Sequence, residues 1–171
     1  MVTRRTFLKA GLLGSAALAG AGAYYGLRHT TSESGELGVS EREIVAVLVP
    51  VMLAGVIPVS GEARRAAIAT TVEGVNTAVA GLSAQAQKEI AELFALLNFA
   101  PARAVVAGIW TSWAGATPDQ VAAFLESWRM SRFALLRSAY AALHDLVLGA
   151  WYGDPQSWPT IAYPGPPPLS P

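Results

Sequence analysis

The 171-residue chain contains no cysteine, which excludes disulfides, thiolate metal sites and a cysteine nucleophile. Oxidising conditions outside the cytoplasm therefore pose no thiol problem. Histidine is almost as scarce, with only His29 and His144. Neither belongs to a His-Glu-x-x-His metal motif or to a serine-triad arrangement. Charged residues make up only 14% of the chain. There is no long basic run and no basic–aromatic stripe, so nucleic-acid binding has little support. Also missing are the alternating apolar–polar pattern of strands and any Asn-Gly hairpin signal.

Further candidates for chemistry are weak. His144 and Asp145 are adjacent, and neighbouring helix positions point about 100° apart, so these two side chains are not expected to face each other. Gly20, Gly22 and Gly26 have the wrong spacing for a dinucleotide loop. Glu89 and Glu92, three apart on a helix, read as a solvated face. The residues therefore point to no catalytic, cofactor-binding or metal site. A small enzyme using His144 and Asp145 is the reading that activity of the isolated chain, lost in His144→Ala, would be needed to support.

What is present is an apolar, Ala-, Leu- and Val-rich chain, 53% hydrophobic, with glycine clustered in the first 26 residues and proline in the last 20. The middle reads as one domain between two unusual ends. A core of roughly 110–120 residues buries a bit over 60% of its unfolded surface, enough to fold alone.

The N-terminal end is an address. Thr3-Arg4-Arg5-Thr6-Phe7-Leu8-Lys9 matches the twin-arginine export pattern, with Arg4, Arg5, Phe7, Leu8 and Lys9 as its signature. The uncharged stretch Ala10 to Leu27 follows and is only weakly hydrophobic, as suits that route. Ala21-Gly22-Ala23 offers the small residues of a cleavage site, after which the chain would begin at Tyr24. Retention as an anchor is the other reading: 18 residues at about 1.5 Å each span roughly 27 Å, close to the hydrocarbon core of a bilayer. Tyr24 and Tyr25 would then sit at the outer interface. Arg4, Arg5 and Lys9 are three of 12 basic residues, so a chain starting at Tyr24 carries nine against 12 acidic ones and is mildly acidic. The predicted location is periplasmic or otherwise extracytoplasmic. This route carries folded cargo, and a chain without a cofactor site of its own suggests that a partner is the reason for it.

Residues 1–27 are thus a signal or membrane anchor, 28–39 a polar linker, 40–152 a helical domain and 153–171 a Pro/aromatic arm. The spacing predicts an all-α, compact bundle of about five to six helices. Ser40-Glu41-Arg42-Glu43 reads as a capping box opening the first, which Pro50 should kink and Ile57-Pro58 should end. Ser60 or Gly61 opens a second helix and Gly81 closes it. Ser83 caps a third, to about Asn98. Pro101 starts a fourth, running to about Trp113. Thr117-Pro118-Asp119-Gln120 is a further capping box. Helices then run through Trp128 and from Ser131 to about Trp151. From Gly153 the prolines predict an extended, non-helical arm, with Trp158, Ile161 and Tyr163 as anchors.

Two features suggest protein contact. All five tryptophans fall between Trp110 and Trp158, and aromatic residues are enriched in interface cores as well as in domain cores. Arg129, Arg132 and Arg137 lie beside Trp128 and Tyr140, and Arg129 and Arg132 at three-residue spacing are expected to share a helix face.

Together the leader, the first helix ending in Ile57-Pro58, the segment Trp128-Arg129-x-Ser131-Arg132-Phe133-x-Leu135-Leu136-Arg137, and Trp151-Tyr152-Gly153-Asp154-Pro155-x-Ser157-Trp158 with Tyr163-Pro164-Gly165-Pro166 resemble the gluconate 2-dehydrogenase subunit 3 family. The resemblance covers most of residues 40–168, and the C-terminal motif is its most specific part. It implies a non-catalytic small subunit that carries the export signal for an FAD-dependent flavoprotein of the glucose–methanol–choline (GMC) class. FAD would reside in that partner, and haem in a cytochrome c subunit that often completes the complex. Some relatives contain cysteines and this chain has none. The partner interface so implied comprises Trp128, Arg129, Arg132, Arg137, Trp151, Tyr152, Asp154, Trp158, Tyr163 and Pro164, with the twin-arginine translocase and the membrane met by the N-terminal segment. A free-standing exported helical binding protein is the alternative.

Overall fold

A computed structural model of the chain describes residues 35–166. The leader with Arg4, Arg5, Phe7, Leu8 and Lys9 lies outside the described residues, as does the end of the proline run. The described residues form an all-α bundle without strands: α1 Val39–Met52, α2 Gly61–Ala80, α3 Ala84–Asn98, α4 Ala100–Val106, α5 Pro118–Arg129 and α6 Ala134–Gly153. Two short 3-10 segments, Trp113–Gly115 and Pro155–Ile161, complete it.

α1 is the central element. Its Ile44, Val45, Leu48 and Val49 recur at helical spacing and are buried, and it touches α2, α3, α5, α6 and the first 3-10 segment. The capping box expected at its start is not formed. The helix begins two residues earlier, at Val39, with Gly38 as N-cap, so Ser40 already lies inside the first turn. Its hydroxyl donates to Glu41 Oε2 at 3.3 Å, and Glu43 is exposed. Glu41 is buried and also accepts from Asn98 Nδ2 at 3.2 Å. The helix continues through Pro50 and ends at Met52, before Ile57-Pro58. Ile57 is instead a buried residue of the connecting loop. Leu37, placed in the linker by composition, is buried too, and its N–H donates to Asn76 Oδ1 at 2.8 Å.

Ser60, Ser83 and Thr117 stand at the N-cap positions of α2, α3 and α5 where expected, Ser60 without a side-chain capping bond. The Ser83 hydroxyl accepts from Ala86 N, and Thr117 forms the full reciprocal box with Gln120. α1 and α2 run antiparallel and are joined by an ion pair, Arg42 Nη1 to Glu73 Oε2 at 2.6 Å. The Arg42 hydrogen bond, helped by Asn76, holds the Glu73 carboxyl below the usual carboxylate range.

The fourth helix is shorter than expected. It stops at Val106 because Gly108 takes a left-handed φ of +68°, a conformation in which a helix cannot continue. Ile109 then turns into the core, and Trp113 follows in 3-10 form. The last helix starts at Ala134, three residues later than expected.

α2 and α6 make the most extensive pairing in the bundle. It depends on Gly74, where an added Cβ would stand 3.0 Å from the Cβ of Ala150. Gly74→Leu is therefore expected to lower stability by about 1–3 kcal/mol through overpacking. Gly81→Ala, at an ordinary φ and with no atom nearer than 3.5 Å, is expected to be neutral or slightly stabilising. Urea midpoints of the two variants check both.

Candidate interaction surfaces

The residues singled out for partner contact divide into core and surface. Trp128 is 1% exposed; its Nε1–H donates to Val106 O at 2.7 Å and its ring meets Phe124 edge-on at 4.7 Å. Trp151 is buried against the core cluster as well. Both were expected at the partner interface and both are core, because each lies on the inward stripe of its helix. Trp113 is buried with them, its N–H donating to Leu97 O at 3.0 Å. Trp158 is half-buried, and Trp110 is 81% exposed.

The surface residues form two separate groups, one at each end of α6. At about 1.5 Å per residue its 20 residues hold these groups roughly 30 Å apart. The N-terminal group contains the arginines. Arg129 and Arg132 do not share a helix face, because α5 ends at Arg129 and Arg132 belongs to the turn before α6. Arg129 makes a two-pronged pair with Glu126 at 2.9 and 3.0 Å. This pairing lowers the Glu126 pKa and raises that of Arg129. Arg132 lies over the Phe133 ring at 4.7 Å, and Arg137 Nη1 donates to Ser131 O at 2.7 Å. Beside them Met130, Phe133 and Leu135 are exposed. The helix pattern alone hid these three; the break between Arg129 and Ala134 sets Met130 and Phe133 in the turn, and Leu135 is exposed in the first turn of α6.

The C-terminal group is the arm, and its first half is not extended. Pro155–Ile161 winds as 3-10 helix, in which Pro155 occupies a first-turn position that lacks a hydrogen-bond requirement. Asp154 caps it, accepting from Gln156 N at 2.9 Å. The arm then coils back over the end of α6. Trp158 Nε1–H donates to Tyr152 O at 2.9 Å, and Tyr163 meets the Trp158 ring edge-on at 5.2 Å. Gly165, at φ +96°, closes on the same ring so tightly that a Cβ there would stand 2.9 Å from Cζ3. Ile161, Tyr163 and Pro164 stay exposed here.

His144 does meet its neighbour, contrary to expectation. Its Nδ1 is 3.2 Å from Asp145 Oδ1, because both side chains bend toward each other across the 100° step. Its ring is 5.6 Å from that of Tyr140, on a shallow cavity of about 280 Å³ that Glu126 and Arg129 also line. Glu89 and Glu92 are exposed, as expected. Among the described residues no group of three or more His, Asp or Glu side chains is placed to hold a metal, and no helix is long and apolar enough to cross a membrane. No protein-family model, curated protein or solved structure matches the chain.

Proposed function

We propose that the chain is a non-catalytic small subunit that binds, stabilises and escorts an FAD-dependent GMC-type dehydrogenase through the twin-arginine route, and that it holds this partner by its C-terminal arm. One observation carries the docking part: the clasp formed by Tyr152, Trp158, Tyr163 and Gly165. These residues belong to the C-terminal motif on which the family resemblance chiefly rests, and they form one connected structure. An arm already folded around its own tryptophan loses little conformational entropy on docking, so its exposed aromatic and aliphatic side chains contribute more of their contact energy to binding. The leader supplies the export half of the proposal. FAD would reside in the partner, and haem in a cytochrome c subunit where one is present. The setting is the periplasm, with the signal either removed after Ala23 or kept as a tether.

The test is co-purification from the native host with a tagged small subunit. Truncation after Gly153 and the milder pair Ile161→Ser/Tyr163→Ala are both expected to lower the bound flavin absorbance at least tenfold, corresponding to about 1.4 kcal/mol or more of lost binding. Unchanged helical circular dichroism would show that the domain itself is intact. Undiminished flavin with both variants would refute docking by the arm. Wild-type chain that brings down no flavoprotein and runs as a stable monomer would overturn the escort role in favour of a free-standing exported binding module.

A further inference from the structure

We infer that the turn between α5 and α6 is a membrane-contact tip that docks on an anionic lipid surface. Three observations carry this, none of which depends on the dehydrogenase proposal. First, Met130, Phe133 and Leu135 stand 71%, 56% and 77% exposed within six residues of chain. Large apolar side chains clustered on a surface at this density mark a contact site. Second, charge is concentrated there. Between Glu126 and Asp145 the sequence has three arginines and no carboxylate, in a chain that is acidic beyond its leader. Arg129 is neutralised by Glu126. Among the described residues Arg132 and Arg137 meet no carboxylate, so the tip keeps two uncompensated cations. Third, the guanidinium of Arg132 rests on the Phe133 ring at 4.7 Å. A cation on an aliphatic stem held against an apolar side chain suits the boundary between headgroups and acyl chains, where one end is wet and the other dry.

Shape selects lipid over protein as the occupant. Protein hot spots seat in well-packed pockets ringed by other contacts. Here Met130 and Phe133 lie in the turn and Leu135 in the first turn of α6, all three exposed, and the nearby cavity lies on the flank, lined by Val51, Leu125, Tyr140 and His144 rather than by them. A bilayer needs no complementary surface, only apolar side chains to receive and anionic headgroups to pair with cations. The arm, roughly 30 Å away at the other end of α6, stays free for a protein at the same time.

The absence of cysteine makes the test direct. Leu135→Cys in the full chain takes a single environment-sensitive fluorophore such as NBD at the tip. Tyr163→Cys carries the same label at the arm. With phosphatidylcholine vesicles containing phosphatidylglycerol, the tip label is expected to shift to the blue and brighten severalfold while the arm label does not. Each cation is worth about fivefold in partitioning, so Arg132→Gln/Arg137→Gln should raise the lipid concentration needed by about 25-fold. The readout separates the tip from the leader, because attachment through the leader leaves the tip label in water. A tip label that stays in water on bound vesicles would overturn the inference. So would an equal response on phosphatidylcholine alone, or a blue shift that arises only when a flavoprotein is added, which would make the occupant a protein.

Discussion

Trp128→Ala is expected to cost the bundle about 3–5 kcal/mol, a large share of the stability of a domain this size. The indole is the largest of the fully buried side chains, and Phe124 packs edge-on against it. Truncation removes that apolar area, opens a cavity and leaves Val106 O without its 2.7 Å donor. The melting temperature should fall by roughly 10–20 °C. Phenylalanine at the two buried positions separates the causes. Trp128→Phe keeps an aromatic ring but still orphans the carbonyl, and it should remain destabilising by about 1–3 kcal/mol. Trp151→Phe should be close to neutral, because the Trp151 indole N–H is buried with no hydrogen-bond partner among the described residues. Replacing an unpaired donor with carbon removes a desolvation penalty and offsets the lost volume. Denaturant midpoints rank the three variants. Equal losses for Trp128→Phe and Trp151→Phe would show that the hydrogen bond to Val106 contributes nothing.

That two tryptophans expected at an interface are core residues shows where the sequence was legible. Local signals succeeded. Ser83 and the Thr117–Gln120 box mark helix starts with side chains that bond to backbone only a few residues away, so α3 and α5 begin where their sequences say. Signals that depend on a single backbone angle failed. Nothing in Pro101 to Trp113 distinguishes a continuing helix from one broken at Gly108 except that residue's positive φ. Ser40 failed as a cap because the helix extends two residues further back, to Gly38, and takes Ser40 into its first turn. The arm departs from the extended path its prolines predict, because Pro155 at a first-turn position begins a 3-10 turn. The candidate surfaces were half legible. Their residue types were visible in the sequence. Their separation to opposite ends of α6, and the break after Arg129 that prevents a shared arginine face, follow from tertiary structure.

The second large effect concerns the leader. Replacing Arg4 and Arg5 by lysine is expected to reduce periplasmic activity of the proposed partner dehydrogenase to near background, while that activity accumulates in the cytoplasm. The substitution keeps both charges and changes only their shape. A guanidinium presents a planar fork of donors and an ammonium a compact point charge, so loss of export would show that a receptor reads geometry rather than charge. The flavoprotein in the proposed role has no export signal of its own, so its fate follows that of the small subunit. Fractionation of wild-type and variant cells measures this directly, with flavin-dependent activity assayed on each side of the inner membrane. Undiminished periplasmic activity in the variant would defeat the escort role, since the enzyme would then be reaching the periplasm unaided. N-terminal sequencing of the exported wild-type chain completes the experiment. A start at Tyr24 means that the leader is only an address. A chain that keeps Ala10 to Leu27 and sediments with membranes is tethered at its own N-terminus, and the apolar, arginine-bearing tip between α5 and α6 would then be a second attachment to the bilayer.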